Sequence, residues 1–182
     1  DLAIVQSDVQ YHAVKGTGTF ANIGAVRGIY GLFSAHPEAL AIVTKKDSGI
    51  MTLNDLVGQR IDIGKVTSGT NATMRLLFEA MGLPLIASTP YYVRALIPRD
   101  AYGEMLDDVP TVGLAATVMA TDKLDSATAY YLTKAVFENL HMIQTKHPAF
   151  FRLHPLEMAR SGITAPRHPG AVQYLREVGR LR

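Results

Sequence analysis

Three short apolar runs constrain this chain most: Leu2–Val5, Ala39–Thr44 and Val112–Ala120, all rich in Val, Ile, Leu and Ala. Unbroken runs of that length suit strands covered on both faces. Arg60-Ile61-Asp62-Ile63-Gly64 alternates and reads as a fourth strand. Segments of helical period lie between them. Met74, Leu77, Phe78 and Met81 fall at i, i+3, i+4 and i+7, with Gly82 placed to end that helix. The longest helix is expected over 126–146, capped by Asp125-Ser126 and stopped by Pro148, with Leu132, Val136, Phe137, Leu140 and Ile143 as its buried stripe. Shorter helices are expected at Val9–Val14, at Leu156–Arg160 and from Pro169 to Arg180. Thr52-Leu53-Asn54-Asp55 has the form of a capping box, opening a short helix that Gly58 closes. Strand, turn, helix, strand is an α/β order. Ala25–Phe33 and the proline-broken Leu83–Pro98 fit neither period.

Composition removes several function classes. The 182 residues are 48% hydrophobic and 19% charged, so the chain buries a core and is not disordered. With 18 Lys+Arg against 16 Asp+Glu, the net charge of +2 is unclustered and does not suit nucleic acid. Without cysteine there is no disulfide, thiol nucleophile or Cys-ligated zinc. The six His residues form no H-E-x-x-H pair, and no G-x-S-x-G elbow occurs. Asp107-Asp108 reads as a solvated turn, because adjacent loop carboxylates point apart. These absences favour a non-enzyme with no cofactor and no metal. No apolar run reaches the ~20 residues of a membrane span.

Two places are candidate ligand contacts. Gln6, Ser7 and Asp8 follow the first strand, and in open parallel sheets ligands gather at that strand end. The alternative is that Ser7 or Asp8 caps the next helix. The second place is Ser68-Gly69-Thr70, ahead of the helix carrying Met74. First-turn amides lack intrahelical partners and the helix dipole adds partial positive charge, so an anion fits there. Ser68, Thr70 and Thr73 bring further hydroxyl donors; again the alternative is that Ser68 or Thr70 only caps. It is no P-loop, since Lys65 precedes the Ser-Gly-Thr. Gly16-Thr17-Gly18-Thr19 reads as a flexible loop. Tyr91 and Tyr92 either line a cleft or pack beside the prolines.

Seven segments, taken in order, resemble one family. They are Asp1-Leu2-Ala3-Ile4-Val5-Gln6-Ser7-Asp8-Val9, Asp47-Ser48-Gly49-Ile50 running on to Gly58-Gln59-Arg60, and Gly64 with Ser68-Gly69-Thr70. Then come Tyr91-Tyr92-Val93 leading to Ile97-Pro98, Asp107-Asp108-Val109-Pro110-Thr111-Val112, Lys134–Leu140, and His168-Pro169-Gly170-Ala171. Together they are similar to the TAXI family of solute receptors for TRAP transporters. The resemblance implies a type II periplasmic binding protein fold, two α/β lobes around a cleft. It also implies a periplasmic, non-catalytic role: handing a small organic anion, glutamate-like or dicarboxylate, to a TRAP membrane subunit. On the family pattern 1–57 and 99–182 form the first lobe and 58–98 part of the second. Gln6 and Ser7 match a cleft edge of the first lobe, Ser68, Gly69, Thr70 and Thr73 a helix N-terminus of the second, and Tyr91 the cleft. Two departures are expected to matter. Family members carry a βα unit with a Gly-rich loop before Asp1-Leu2-Ala3, and a long stretch where only Leu83–Thr89 stand here. The implied fold is therefore incomplete, which leaves two rivals: an enzyme on the same scaffold, or a truncated fragment kept for interaction.

Overall fold

The structure, a computed structural model, describes residues 1–66, 68–79, 90–101 and 107–182. Strand β4, Val109–Thr121, organises it, because the other described strands all pair with β4. Strand β1 (Leu2–Gln6) runs antiparallel to its later half, from Leu2 opposite Ala120 to Gln6 opposite Ala116. Strand β3 (Val93–Ile97) runs antiparallel to its earlier half, from Val93 opposite Gly113 to Ile97 opposite Val109. Strand β2 (Ile29–Ala39) takes the other edge, from Ile29 opposite Thr121 to Ala39 opposite Gly113. Strands β1 and β3 thus share one edge of β4, with a gap between them at Leu114 and Ala115. Gly113 lies between β2 and β3, and a Cβ there would strike the Glu38 carbonyl and come within 2.9 Å of the Ala95 methyl. Only glycine allows that approach.

Helices α1 (Ser7–Lys15), α2 (Gly69–Glu79), α3 (Ser126–Glu138), α4 (Leu140–Gln144), α5 (Pro155–Arg160) and α6 (Pro169–Glu177) complete the described elements, with three short 3₁₀ turns. The chain is a mixed α/β fold with a small open antiparallel sheet, compatible with part of a periplasmic-binding-protein fold. The main core joins Leu32, Phe33 and Ala120 of the sheet to Ala129, Leu140, Leu153, Met158 and Ala171. Helix α3 has the expected cap: Asp125 Oδ1 accepts the Thr128 amide at 2.9 Å and Oδ2 its hydroxyl at 2.6 Å. Prolines open α5 and α6, where a missing N–H costs nothing.

Several expectations are corrected. Residues 40–44 lie outside any strand, and β2 is the stretch before them, 29–39. Its Gly31, Pro37 and two register shifts hide the alternation that marks a strand. The run after it holds β4 only through Leu40, whose amide donates to the Val112 carbonyl at 2.9 Å. Residues 60–64 alternate in exposure but pair with no described strand, so the pattern has no ladder to join. The expected 126–146 helix breaks at Asn139, with φ −107° and ψ 21°. There the Asn139 amide donates back to the Ala135 carbonyl at 2.8 Å, the local competition that makes Asn a poor helix interior. Strand β1 is not covered on both faces: Leu2 is 51% and Ile4 70% exposed. The helix end expected at Met81-Gly82 and the junction Leu83–Thr89 lie outside the described residues.

Candidate ligand-binding site

The site candidates converge where the N-terminus of α1 meets α2 and the segment before β3. Ser7 has no exposed surface and stands at the gap between β1 and β3. Its hydroxyl accepts the Ala115 amide at 3.0 Å and donates to the Tyr91 carbonyl at 2.7 Å. One side chain therefore replaces the strand backbone that the gap lacks. The helix α1 N-cap is Gln6, without a side-chain cap bond, so Ser7 is not the cap and its hydroxyl is engaged inside the fold. The strand-end argument assumed parallel pairing; the pairing of β1 is antiparallel.

Asp8 is buried beside it. One carboxylate oxygen accepts the Val9 amide at 2.7 Å and the other the Thr73 hydroxyl at 3.0 Å, joining α1 to α2. Burial pushes the Asp8 carboxyl up from its ordinary value, against the lowering from Val9, Thr73 and then its own backbone and His12. Tyr92 is buried with its hydroxyl unpartnered, and burial, Tyr91 and Asp8 together push it up to about 12. Tyr91 packs with Tyr92 at 5.0 Å between ring centres, with Tyr11 at 5.3 Å and with His12 at 5.5 Å. The Tyr pair thus packs, and at 5% exposure Tyr91 shows little of itself to a cleft.

At α2, Ser68 is the cap. Its Oγ accepts the Asn71 amide at 3.1 Å and donates to the Lys65 carbonyl at 2.8 Å. Asn71 ties the same turn down by donating to the Gly64 carbonyl at 3.0 Å, and Gly64 takes the left-handed φ of 82° the turn requires. Thr70 is exposed at the second helical position, and Thr73 is buried against Asp8. A Cβ on Gly69 would collide with the Gln6 amide, so the bare backbone admits Gln6. Gln6 in turn donates to the Glu38 carboxylate at 2.6 Å. The fold therefore brings Gln6, Ser7, Gly69, Thr73 and Tyr91 into one neighbourhood, with Ser68 capping and Thr70 facing solvent.

Three participants were not singled out from sequence. Gln10, 1% exposed, donates to the Gly162 carbonyl at 2.9 Å and accepts the Thr164 and Ala165 amides at 3.1 and 3.3 Å. It lies three residues after Ser7 on the same helix face, a polar stripe visible in the spacing. Asp8 as a bridge to α2, and Glu38 in a proline-broken strand, carry no local signal. Among the described residues no three His, Asp or Glu side chains come together to hold a metal ion. None of the described helices is long and apolar enough to cross a membrane.

A family model described as the NMT1-like family matches residues 1–85 and 83–179. The match takes in nearly all of the chain, in two stretches that meet at 83–85.

Proposed function

Because this chain belongs to the NMT1-like family, a periplasmic binding protein family related to TRAP- and TAXI-type solute receptors, we propose that it binds a small organic anion for a TRAP-type permease. The ligand class is glutamate-like or dicarboxylate, and the receptor is of TAXI type, with 1–57 and 99–182 as one lobe and 58–98 as part of the other. The meeting of the two matched stretches at 83–85 supports a shortened second lobe.

The observation that carries the reading is the start of α2. Ser68 supplies the cap, which leaves Thr70 exposed beside the first two helical amides. A carboxylate placed there gains hydrogen bonds and the helix dipole. Gln6, next to Gly69, is a further polar contact. Ser7, Thr73 and Tyr91 stand behind this face, hold it in place and touch the ligand little. Closure around the ligand would act by stronger contacts in the closed form.

Calorimetric titration with glutamate and with succinate tests this in wild type, Thr70→Val and Ser68→Ala. Thr70→Val is expected to weaken binding by about 1.5–3 kcal/mol, roughly tenfold or more, with little change in melting. Ser68→Ala is expected to lower stability by about 1 kcal/mol through the lost cap. Unchanged affinity in Thr70→Val, or no binding of either anion to wild type, refutes the assignment.

One observation favours a second reading. Leu2 and Ile4 are exposed beside an open apolar depression of about 440 Å³ that Phe33, Val118, Val136 and Phe150 also line. Surface of that kind suits a fragment kept for interaction.

A further inference from the structure

Helix α2 is fastened to α1 through a carboxylate that has no counter-charge. Asp8 is 1% exposed and Thr73 3%, and 65 residues of sequence separate the two ends of their hydrogen bond. Among the described residues no Lys, Arg or His nitrogen lies within salt-bridge distance of Asp8. The groups around it are few. His12, on α1, shares its Nδ1 with Thr17 at 2.8 Å, and its Nε2 is buried without a partner. Tyr92, with Tyr91 packed on it, comes from the segment before β3. On α2, Thr73 donates to Asp8, while the Arg75 Nε is turned to Asn71 at 2.9 Å. Toward β4 lie the uncharged Ala115 and Thr117. The first-turn position of Asp8 on α1 is the one compensation from the helix dipole.

We propose that Asp8 is a proton-controlled spring in the seam between α1 and α2. Ionised, the buried carboxylate opposes the closed seam; protonated, it lets the seam close. The physical reason is desolvation. A carboxylate enclosed without a cation is costly, and opening the seam returns it to water. Hydrogen bonds from Val9 and Thr73 recover part of that cost, which is why the seam stays closed with Asp8 inside it. The raised Asp8 carboxyl agrees in sign. A group whose pKa is higher in the closed form than in the open one favours closure at low pH and loses that contribution as pH rises through the closed-form value. In an anion receptor this device would make the closed population, and so affinity, fall with rising pH independently of the ligand's own charge.

Hydrogen exchange of the ligand-free chain, corrected for the intrinsic pH dependence, tests the spring. In wild type, α2 amides are expected to lose about threefold or more of their protection between about pH 4.5 and about pH 7.5. Asp8→Asn keeps an oxygen for Thr73 and removes the charge, so its α2 is expected to stay protected across that range. Thr73→Val keeps the charge and removes the donor, so it is expected to exchange faster than wild type and to remain pH-dependent. Carbon-13 titration of the wild-type Asp8 carboxyl reads the same device without a variant. An ordinary carboxyl value, or an Asp8→Asn profile that matches wild type, overturns the proposal.

Discussion

Replacing Ser7 by Ala tests the junction on which the site is built. The serine hydroxyl lies where β1 has ended and β3 has not begun, and it serves β4 in place of a strand. Truncation removes a bond of 2.7 Å to the Tyr91 carbonyl and strands the buried Ala115 amide, held now at 3.0 Å. An ordinary buried hydrogen bond is worth about 0.5–1.5 kcal/mol, and a buried donor left without its acceptor costs about 1–3 kcal/mol. Their sum gives a loss of about 2–4 kcal/mol, against a small transfer gain from the apolar methyl. For a chain of this size that is a fall in melting temperature of roughly 5–15 °C. Urea unfolding is the assay, with the m-value as control: a shifted midpoint at constant m reports stability rather than a changed end state. A loss below about 1 kcal/mol would refute the reasoning, because another group would then have to be closing the gap.

Further outcomes follow from the same geometry. Gly162→Ala is expected to destabilise the fold severely, since Gly162 has a φ of 68° and an added Cβ would strike the Ala115 side chain; a variant melting with wild type would contradict this. Asp125 is held below the usual carboxylate range by the Thr128 hydroxyl and amide, so its contribution is present above the ordinary value and lost as pH falls through the lower one. Melting curves of wild type and Asp125→Asn are therefore expected to differ at neutral pH and converge in strong acid.

Much of the helical layer was legible because its signals are local. Asp125 caps α3, Pro155 and Pro169 open α5 and α6, and Asp55 takes the Thr52 amide at 2.7 Å as the capping box requires. Such features need only neighbours within four residues. Strands need partners, and there the reading slipped. The Leu40–Thr44 run and the Arg60–Gly64 alternation look like strands, yet neither has a ladder beyond the single Leu40 tie. Strand β2 was obscured by His36-Pro37-Glu38, which reads as a turn; Pro37 sits opposite Ala115 at a register irregularity, where a missing N–H is tolerated.

The candidate site divides along the same line. Ser68 as a cap was legible three residues from its target, Asn71. Ser7, Asp8 and Thr73 were visible as polar residues at element ends, but their tasks are set by partners 84, 108 and 65 residues away. No spacing rule reaches that far. What fixes those partners is β4, whose thirteen residues carry β1 on the later half and β3 on the earlier half. The changeover leaves an amide exposed to the interior, and a short hydroxyl at the start of α1 is the side chain that reaches it. With Ser7 held there, Asp8 is turned toward α2 and Gln6 toward Gly69 and Glu38. The start of α2, where Thr70 remains open to an anion, is thus placed by a break in the sheet rather than by any motif of its own.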